Sequence, residues 1–339
     1  MAVFGVSAVT LATFAGFGAL VGLIFGFFGM GSFLVTPTLL VLGYDSTVAV
    51  GSGLAFVFGT AVIATLKHRD LGQVEYRLGA VTIAGTTAGI EVGKRGLLAL
   101  RDAGLADGLV GGAYVILLGT VGTMVLRDVY SDDTSSKSAD GGLLAGLADR
   151  IPDWVPRRVR LPPRLLVGDD VEISVWSLVL ITFVTGLPAG LLGIGGGFVR
   201  IPALTYLVGV SMPVAVGTNV FAIMVSGGIG TFSWAQSGGV DLSVVAPLLL
   251  GSAFGARLGS AITDHVDEHR SMGYFGAMVV LGAVAVAIRQ VGRRLDMPEL
   301  RVVGIALIVG SAFLVAMLVL ASAVRAIRSD DDGGAAPAD

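Results

Sequence analysis

Apolar segments long enough to cross a lipid bilayer recur along most of this 339-residue chain. A membrane-spanning helix needs roughly 20 consecutive apolar residues, and within hydrocarbon every backbone polar group must be hydrogen-bonded. We therefore predict an all-α fold, a polytopic bundle of transmembrane helices in a cell membrane. The predicted full-length segments cover about 4–28, 46–66, 77–98, 105–126, 173–192, 212–235, 243–262, 271–290 and 301–324.

Composition excludes several other classes of protein. Charged residues make up 14% of the chain, whereas about 25% is usual in a soluble globular domain. The chain has no cysteine, which excludes disulfides, thiol catalysis and cysteine metal sites. Its net charge of −3 comes without any basic block, so no nucleic-acid partner is expected. A Gly-x4-Gly-Lys-Ser/Thr pattern is absent, so ATP does not drive the protein directly and no cofactor is expected.

The chain divides into two membrane regions around a polar linker. Residues 130–172 contain several aspartates, serines, prolines and arginines, which indicates a soluble linker. The predicted regions are repeat 1 at 1–129, repeat 2 at 173–294 and an extra helix with tail at 299–328, and the end from 329 is expected to be disordered.

The two membrane regions resemble each other in sequence, and the matches keep their order with a drift of only two positions. This indicates two homologous repeats, an organisation that secondary transporters use to build a central site. Duplication could also serve only to build a helical bundle. The matches are Gly29-Met30-Gly31 with Gly193-Ile194-Gly195, Pro37 with Pro202, Ala49-Val50-Gly51-Ser52 with Ala215-Val216-Gly217-Thr218, Gly72, Val74 and Glu75 with Gly238, Val240 and Asp241, and Gly85, Gly89 and Gly93 with Gly251, Gly255 and Gly259.

A glycine-rich break ends the first helix of each repeat. A short apolar piece follows, at about 33–43 and 198–209, and is too short to cross the bilayer as a helix. Free N–H groups at such an interruption favour an anion, and glycine lets a ligand approach the backbone. The alternative is that these glycines only permit close helix crossings. The candidate binding residues at the breaks are Gly29, Gly31, Ser32, Gly193, Gly195, Gly196 and Gly197.

Four polar side chains near the breaks complete the candidate site. Arg200 follows the second break, where an intramembrane charge is costly unless it faces a cavity or a bound anion. It could instead reach the membrane surface by snorkelling. Ser52, Thr218 and Asn219 follow the repeated Ala-Val-Gly element and could bind a ligand or cap a helix.

Glu91 and Arg257 lie at equivalent positions within the glycine stripes of the two repeats. Opposite charges there could form a structural ion pair or take part in coupling transport to an ion gradient. His68, His265 and His269 lie in charged segments at helix ends, so no metal site is expected within the membrane. The lack of cysteine and of a buried histidine also makes an enzyme improbable.

The sequence resembles the sulfite exporter TauE/SafE family of membrane transporters. The resemblance is carried by Gly26 to Ser32 with Pro37, by Gly190 to Phe198 with Pro202-Ala203-Leu204, and by the repeated Ala-Val-Gly elements, and it covers about 10–128 and 173–290. It implies export or uptake of sulfur-containing anions such as sulfite, sulfoacetate or other organosulfonates, which together with the repeats and the missing ATP motif predicts a secondary carrier for them. The first copy differs from the usual glycine triplet at Met30 and Ser32.

The expected partners are a small anionic substrate and the lipid bilayer, and a homodimer is left open. An anion channel and a carrier of a non-sulfur anion are the alternatives to a sulfur-anion carrier. If the short pieces are re-entrant, the repeats run parallel and the chain has nine spans; if they count as crossings, the repeats are inverted. We prefer the parallel arrangement, with Lys67, Arg69, Arg77, the linker and the N-terminus in the cytoplasm and the C-terminus outside.

Overall fold

The fold is a bundle of long α-helices. The computed structural model describes residues 2–3, 6–28, 34–130, 162–167, 171–262, 268–297 and 299–333. The helices of the first half are α1 (Ala8–Phe28), α2 (Val35–Val41), α3 (Ser46–Asp70), α4 (Tyr76–Asp102) and α5 (Ala106–Tyr130). Those of the second half are α6 (Val175–Leu192), α7 (Gly197–Pro202) with a π-helical turn Ala203–Val208, α8 (Met212–Gln236), α9 (Leu242–Ile262), α10 (Glu268–Leu295) and α11 (Glu299–Gly333).

Eight helices within the described residues are long and apolar enough to cross a membrane, namely α1, α3, α5, α6, α8, α9, α10 and α11. Helix α4 has 27 residues and therefore the necessary length, but its second half carries Glu91, Lys94 and Arg95. Large apolar side chains such as Ile116, Phe254 and Phe313 are mostly exposed on the outer faces of the bundle. In water such a surface would be unfavourable, so it indicates contact with lipid. The protein is a multi-pass membrane protein.

Glycine stripes bring two pairs of helices into close parallel contact. A Cβ at Gly85, Gly89 or Gly93 of α4 would lie 2.1–2.4 Å from atoms of α6. A Cβ at Gly251, Gly255 or Gly259 of α9 would likewise lie 1.9–2.2 Å from backbone oxygens of α1. In both pairs the contacted residue number rises with the glycine number, so the paired helices run in the same direction. The small residues allow the two backbones to touch.

The central helices α3 and α8 run antiparallel. A Cβ at Gly51, near the start of α3, would lie 2.0 Å from the carbonyl oxygen of Gly239, just past the end of α8. At the other end, a Cβ at Gly217 of α8 would lie 2.3 Å from the carbonyl oxygen of Gln73, just past α3. Helices α5 and α10 also run antiparallel, because Gly111 lies beside Gln290 whereas Gly122 lies beside Val280.

These helix directions show that the parallel arrangement of the two repeats, preferred from the sequence, is wrong. Helices α3 and α8 occupy matching places in the two halves, and so do α5 and α10, yet each pair is antiparallel. The short piece after each break therefore returns the chain towards the side from which the preceding helix started. In the second half, the break, the short helix α7 and the π-helical turn after it together cover a distance that α7 alone cannot.

The two chain ends are also placed differently from the expectation. Helix α1 is parallel to α9, and α9 begins beside the start of α3, where the Asp241 N–H donates to Ser52 Oγ at 3.0 Å. Helix α1 thus begins at the end of the bundle opposite Lys67. Helix α11 begins at that same end, where Arg301 donates to the Leu42 carbonyl oxygen, and it runs towards the Lys67 side.

Several boundaries differ from the sequence predictions. Two short antiparallel hairpins, Ala2–Val3 with Val6–Ser7 and Arg164–Val167 with Val171–Ser174, precede α1 and α6. The second lies mostly within the predicted linker, of which residues 131–161 fall outside the described residues. Helix α11 extends to Gly333, beyond the predicted apolar segment at about 301–324 and into the end that was expected to be disordered.

Candidate functional site

The second glycine break interrupts the chain between α6 and α7 in the interior of the bundle. Gly193, Gly195 and Gly196 adopt φ values of 72°, 71° and 73°, in the left-handed region that residues with a side chain rarely occupy. All three are buried. Helix α6 ends at Leu192, and the N–H of the next residue, Gly193, donates to the Ala189 carbonyl oxygen at 2.9 Å. Glycine is thus required by backbone conformation here.

Arg200 of α7 is fully buried, with 0% of its surface exposed. Its Nη1 donates to the Asn219 Oδ1 of α8 at 3.1 Å. Its Nε and Nη2 have no hydrogen-bond partner among the described residues, and no carboxylate of that part of the chain forms an ion pair with it. A buried guanidinium held by one neutral amide keeps an uncompensated positive charge, which an anion would balance.

Two glycines of the break lie directly against this pair. A Cβ at Gly196 would lie 2.8 Å from Arg200 Nη2, and a Cβ at Gly197 would lie 2.8 Å from Asn219 Nδ2. The absence of a side chain at these two positions therefore leaves room for the Arg200 guanidinium and the Asn219 amide themselves. The structure brings Gly196, Gly197, Arg200 and Asn219 together, four residues that the sequence assigns to the candidate site.

Gly193 and Gly195 pack against α3 instead. A Cβ at Gly193 would lie 2.3 Å from the Val50 carbonyl oxygen, and a Cβ at Gly195 would lie 2.3 Å from Val57 Cγ1. The buried Tyr114 of α5 donates its hydroxyl proton to the Leu192 carbonyl oxygen at the end of α6. Sequence reasoning missed this tyrosine, since no pattern links it to a helix end 78 positions away. These contacts hold the break in place.

The first glycine break lies outside the described residues. Gly29, Gly31 and Ser32 belong to it, so their part in the site stays a prediction. Helix α2, which follows it, is entirely buried. Its Thr36 hydroxyl lies beside Gly53 of α3 and beside Gly193 of the second break. Helix α2 therefore approaches the second break through the interior.

Ser52 and Thr218 make matching contacts between the two halves of the chain. Ser52 Oγ accepts from the Asp241 N–H, and Thr218 Oγ1 accepts from the Glu75 N–H, each at 3.0 Å. Glu75 and Asp241 begin the matched helices α4 and α9. The two hydroxyls thus satisfy the backbone of a turn in the opposite half, which is a structural role, whereas the sequence suggested ligand contact or capping of their own helices.

Glu91 and Arg257 are not brought together. Glu91 accepts from Arg95 Nε at 2.8 Å, one turn along α4, and from Ser233 Oγ at 2.8 Å. Ser233 in turn accepts two hydrogen bonds from the buried Lys94. Arg257 lies on α9, which packs mainly against α1, and is exposed. The predicted pair is therefore replaced by a network of charged groups between α4 and α8.

No group of histidine, aspartate and glutamate side chains suited to hold a metal ion occurs in the described ranges. His68 lies at the end of α3, where its Nδ1 is 2.6 Å from Gln73 Oε1. This places the histidine at a helix end, as its sequence context indicates.

Comparison with known proteins gives the family. The family model described as sulfite exporter TauE/SafE matches residues 14–286. The chain is similar to the probable membrane transporter protein YunE of Bacillus subtilis, 28% identical over 72% of this chain and 83% of that protein. A probable membrane transporter protein of Xylella fastidiosa is 26% identical over 81% of this chain and 94% of its own length.

A second Bacillus subtilis protein, the probable membrane transporter protein YjnA, is 25% identical over 78% of this chain and 94% of its own length. No solved structure matches the chain. A family model that covers most of the chain, together with similarity over nearly the full length of these relatives, shows that the chain belongs to the sulfite exporter TauE/SafE family of membrane transporters.

Proposed function

We propose that the protein is a secondary transporter that moves small sulfur-containing anions, such as sulfite, sulfoacetate or other organosulfonates, across the cell membrane. The observation that carries the proposal is the Arg200 guanidinium, fully buried with two nitrogens unpartnered among the described residues. Sulfite and sulfonate oxygens can accept hydrogen bonds from both nitrogens of such a planar group. The family name points to the same chemistry.

We infer further that the anion binds between two inverted copies of one helical unit. Matching contacts support this arrangement, since Ser52 and Thr218 accept from matching turns and both glycine stripes contact the first helix of the opposite copy. Inverted copies allow a central site to open alternately to the two sides of a membrane, because exchanging the conformations of the copies exchanges the open side.

The direct test is transport by Arg200→Gln in proteoliposomes, measured as counterflow of labelled sulfite and sulfoacetate. Losing a charge-assisted hydrogen bond to the anion costs about 1.5–3 kcal/mol, so the rate at subsaturating anion should fall roughly 10- to 100-fold. Arg77→Gln is the matched control, because Arg77 is an exposed arginine at the start of α4. It should transport like the wild type.

Counterflow also separates a carrier from a channel, since only a carrier accelerates labelled uptake when unlabelled anion is loaded inside. Wild-type counterflow rates in well-folded Arg200→Gln would remove Arg200 from the site. Counterflow of chloride or of a carboxylate, but of no sulfur anion, would show that the protein is a carrier and would exclude sulfur-containing anions as its substrates.

A further inference from the structure

A polar cavity of about 330 Å³ lies at the end of the bundle where α3 and α5 begin and α10 ends. Its wall comes from the turn before α3, the first turn of α5, the end of α10 and the start of α11. It is separate from the Arg200 site, with which it shares no lining residue. The charged residues that line it are Asp45, Asp107, Arg289, Arg293, Asp296 and Arg301.

Arg289 is the buried member of this set. Its side chain is 6% exposed, and its Nη1 has no hydrogen-bond partner within the part of the chain that is described. The other two arginines are engaged, because Arg293 donates to Asp107 Oδ2 and Arg301 donates to the Leu42 carbonyl oxygen. The cavity therefore has one buried cation with an unused donor.

The nearby carboxylates do not satisfy Arg289. Asp107 is already occupied, since its Oδ1 accepts from the Ser46 N–H at 3.1 Å and its Oδ2 from Arg293. Asp45 and Asp296 are exposed at the rim. A buried guanidinium with an unused donor in a polar cavity fits an oxyanion, whose oxygens match the fork of N–H groups.

We propose that this cavity binds an oxyanion of the phosphate or sulfonate type on Arg289. The group could belong to a free anion or to the headgroup of a phospholipid, since the cavity opens where the helices end. The three arginines that line the cavity all lie beyond residue 286, where the family match stops. They are supplied by the end of α10 and by the extra helix α11.

The test uses purified full-length protein, delipidated in detergent. Its unfolding temperature is measured at increasing concentrations of inorganic phosphate, and separately of phosphatidylglycerol in mixed detergent micelles. A ligand that binds only the folded state raises its unfolding temperature in a concentration-dependent way. We expect the unfolding temperature of the wild type to rise to a plateau as ligand is added. In Arg289→Gln we expect a dissociation constant at least tenfold larger. Arg294→Gln is the control, because Arg294 is an exposed arginine on the same helix and does not line the cavity.

The two arms identify the source of the oxyanion. A rise with phosphate assigns a free anion, whereas a rise with phosphatidylglycerol alone, accompanied by retained lipid in native mass spectrometry, assigns a headgroup. If Arg289→Gln does not fold, Arg289→Lys keeps the charge but loses the guanidinium fork, and its affinity should still fall. Equal affinity in the wild type and a folded Arg289 variant, or no response to either ligand, would overturn the proposal.

Arg200→Gln separates this site from the transport site. The Arg200 variant should keep the wild-type response to phosphate or lipid while its counterflow of sulfite or sulfoacetate falls. If Arg200→Gln abolished the phosphate response and Arg289→Gln did not, the oxyanion would bind at the central site and the cavity would carry no ligand.

Discussion

Arg200 binds no carboxylate of the described chain, although it lies in the interior of a membrane protein. Each buried donor left without a partner costs about 1–3 kcal/mol, and more when the group is charged. A structural arginine would be expected to have an acidic neighbour, as Arg293 has in Asp107. The neutral partner Asn219 instead orients the guanidinium and leaves its charge available to a ligand.

Two glycines of α4 give a matched test of helix packing at single residues. A Cβ at Gly93 would lie 2.4 Å from the Leu187 carbonyl oxygen of α6, whereas a Cβ at Gly96 would meet nothing within 4 Å. Gly93→Ala should destabilise the protein by about 1–3 kcal/mol, because two backbones must separate. Gly96→Ala should be neutral or stabilise it by up to about 1 kcal/mol, because alanine favours the helix.

The measurement is thermal or denaturant unfolding of both variants in the same detergent. An equal effect of the two substitutions would contradict the close packing of α4 against α6. Transport should follow stability in Gly93→Ala, since the substitution changes the distance between helices that belong to opposite halves of the chain.

At the scale of elements, each half of the chain contributes one hydroxyl that satisfies a turn of the other half. Ser52→Ala and Thr218→Val each remove one such hydrogen bond and should each cost about 0.5–1.5 kcal/mol. The two bonds lie near opposite ends of the antiparallel pair α3 and α8. We therefore expect the double variant to show the sum of the two single effects.

Unfolding of the two single variants and the double variant in one detergent measures this sum. A double variant that is as stable as the single variants would contradict this expectation, because it would mean that the two contacts do not act independently. If Ser52→Ala abolished counterflow without changing stability, the Ser52 hydroxyl would contact the substrate in addition to satisfying the distant turn.

The apolar pattern of the sequence predicted the helices well, because a bilayer sets the length of a crossing segment. The predicted starts of α3, α5 and α8 lie within one residue of the observed ones. The direction of the helices was not predictable. A short apolar piece after a break has the same composition whether it carries the chain back across the membrane or turns back as a re-entrant segment. The glycine break and Arg200 were visible because glycine runs and intramembrane charges are rare and costly.

The long-range contacts of Ser52 and Thr218 could not be predicted from the sequence, and both for the same reason. Ser52 bonds a backbone group 189 positions away, and Thr218 bonds one 143 positions away. A hydroxyl at the start of a helix has the same local sequence whether it binds a ligand, caps its own helix or supports a distant turn. The cavity around Arg289 was likewise hidden, because its walls come from four separate parts of the chain.

At the scale of the whole molecule, the opposite directions of matching helices can be tested with single cysteines. The natural chain contains no cysteine, so Leu71→Cys and Ser237→Cys each introduce one thiol. These residues follow α3 and α8 directly and precede glycines with nearly equal φ values, 68° at Gly72 and 69° at Gly238. They therefore occupy the same place in the two halves.

Because α3 and α8 are antiparallel, a membrane-impermeant maleimide added to intact cells should label only one of these two variants. The other should react only after the membrane is permeabilised. Tyr130→Cys, at the end of α5, should behave like Leu71→Cys, because α3 and α5 end on the same side of the bundle. Labelling of Leu71→Cys and Ser237→Cys from the same side would require the two halves to run parallel. The proposed two-fold arrangement, with the anion bound at Arg200 between the two halves, would then be excluded.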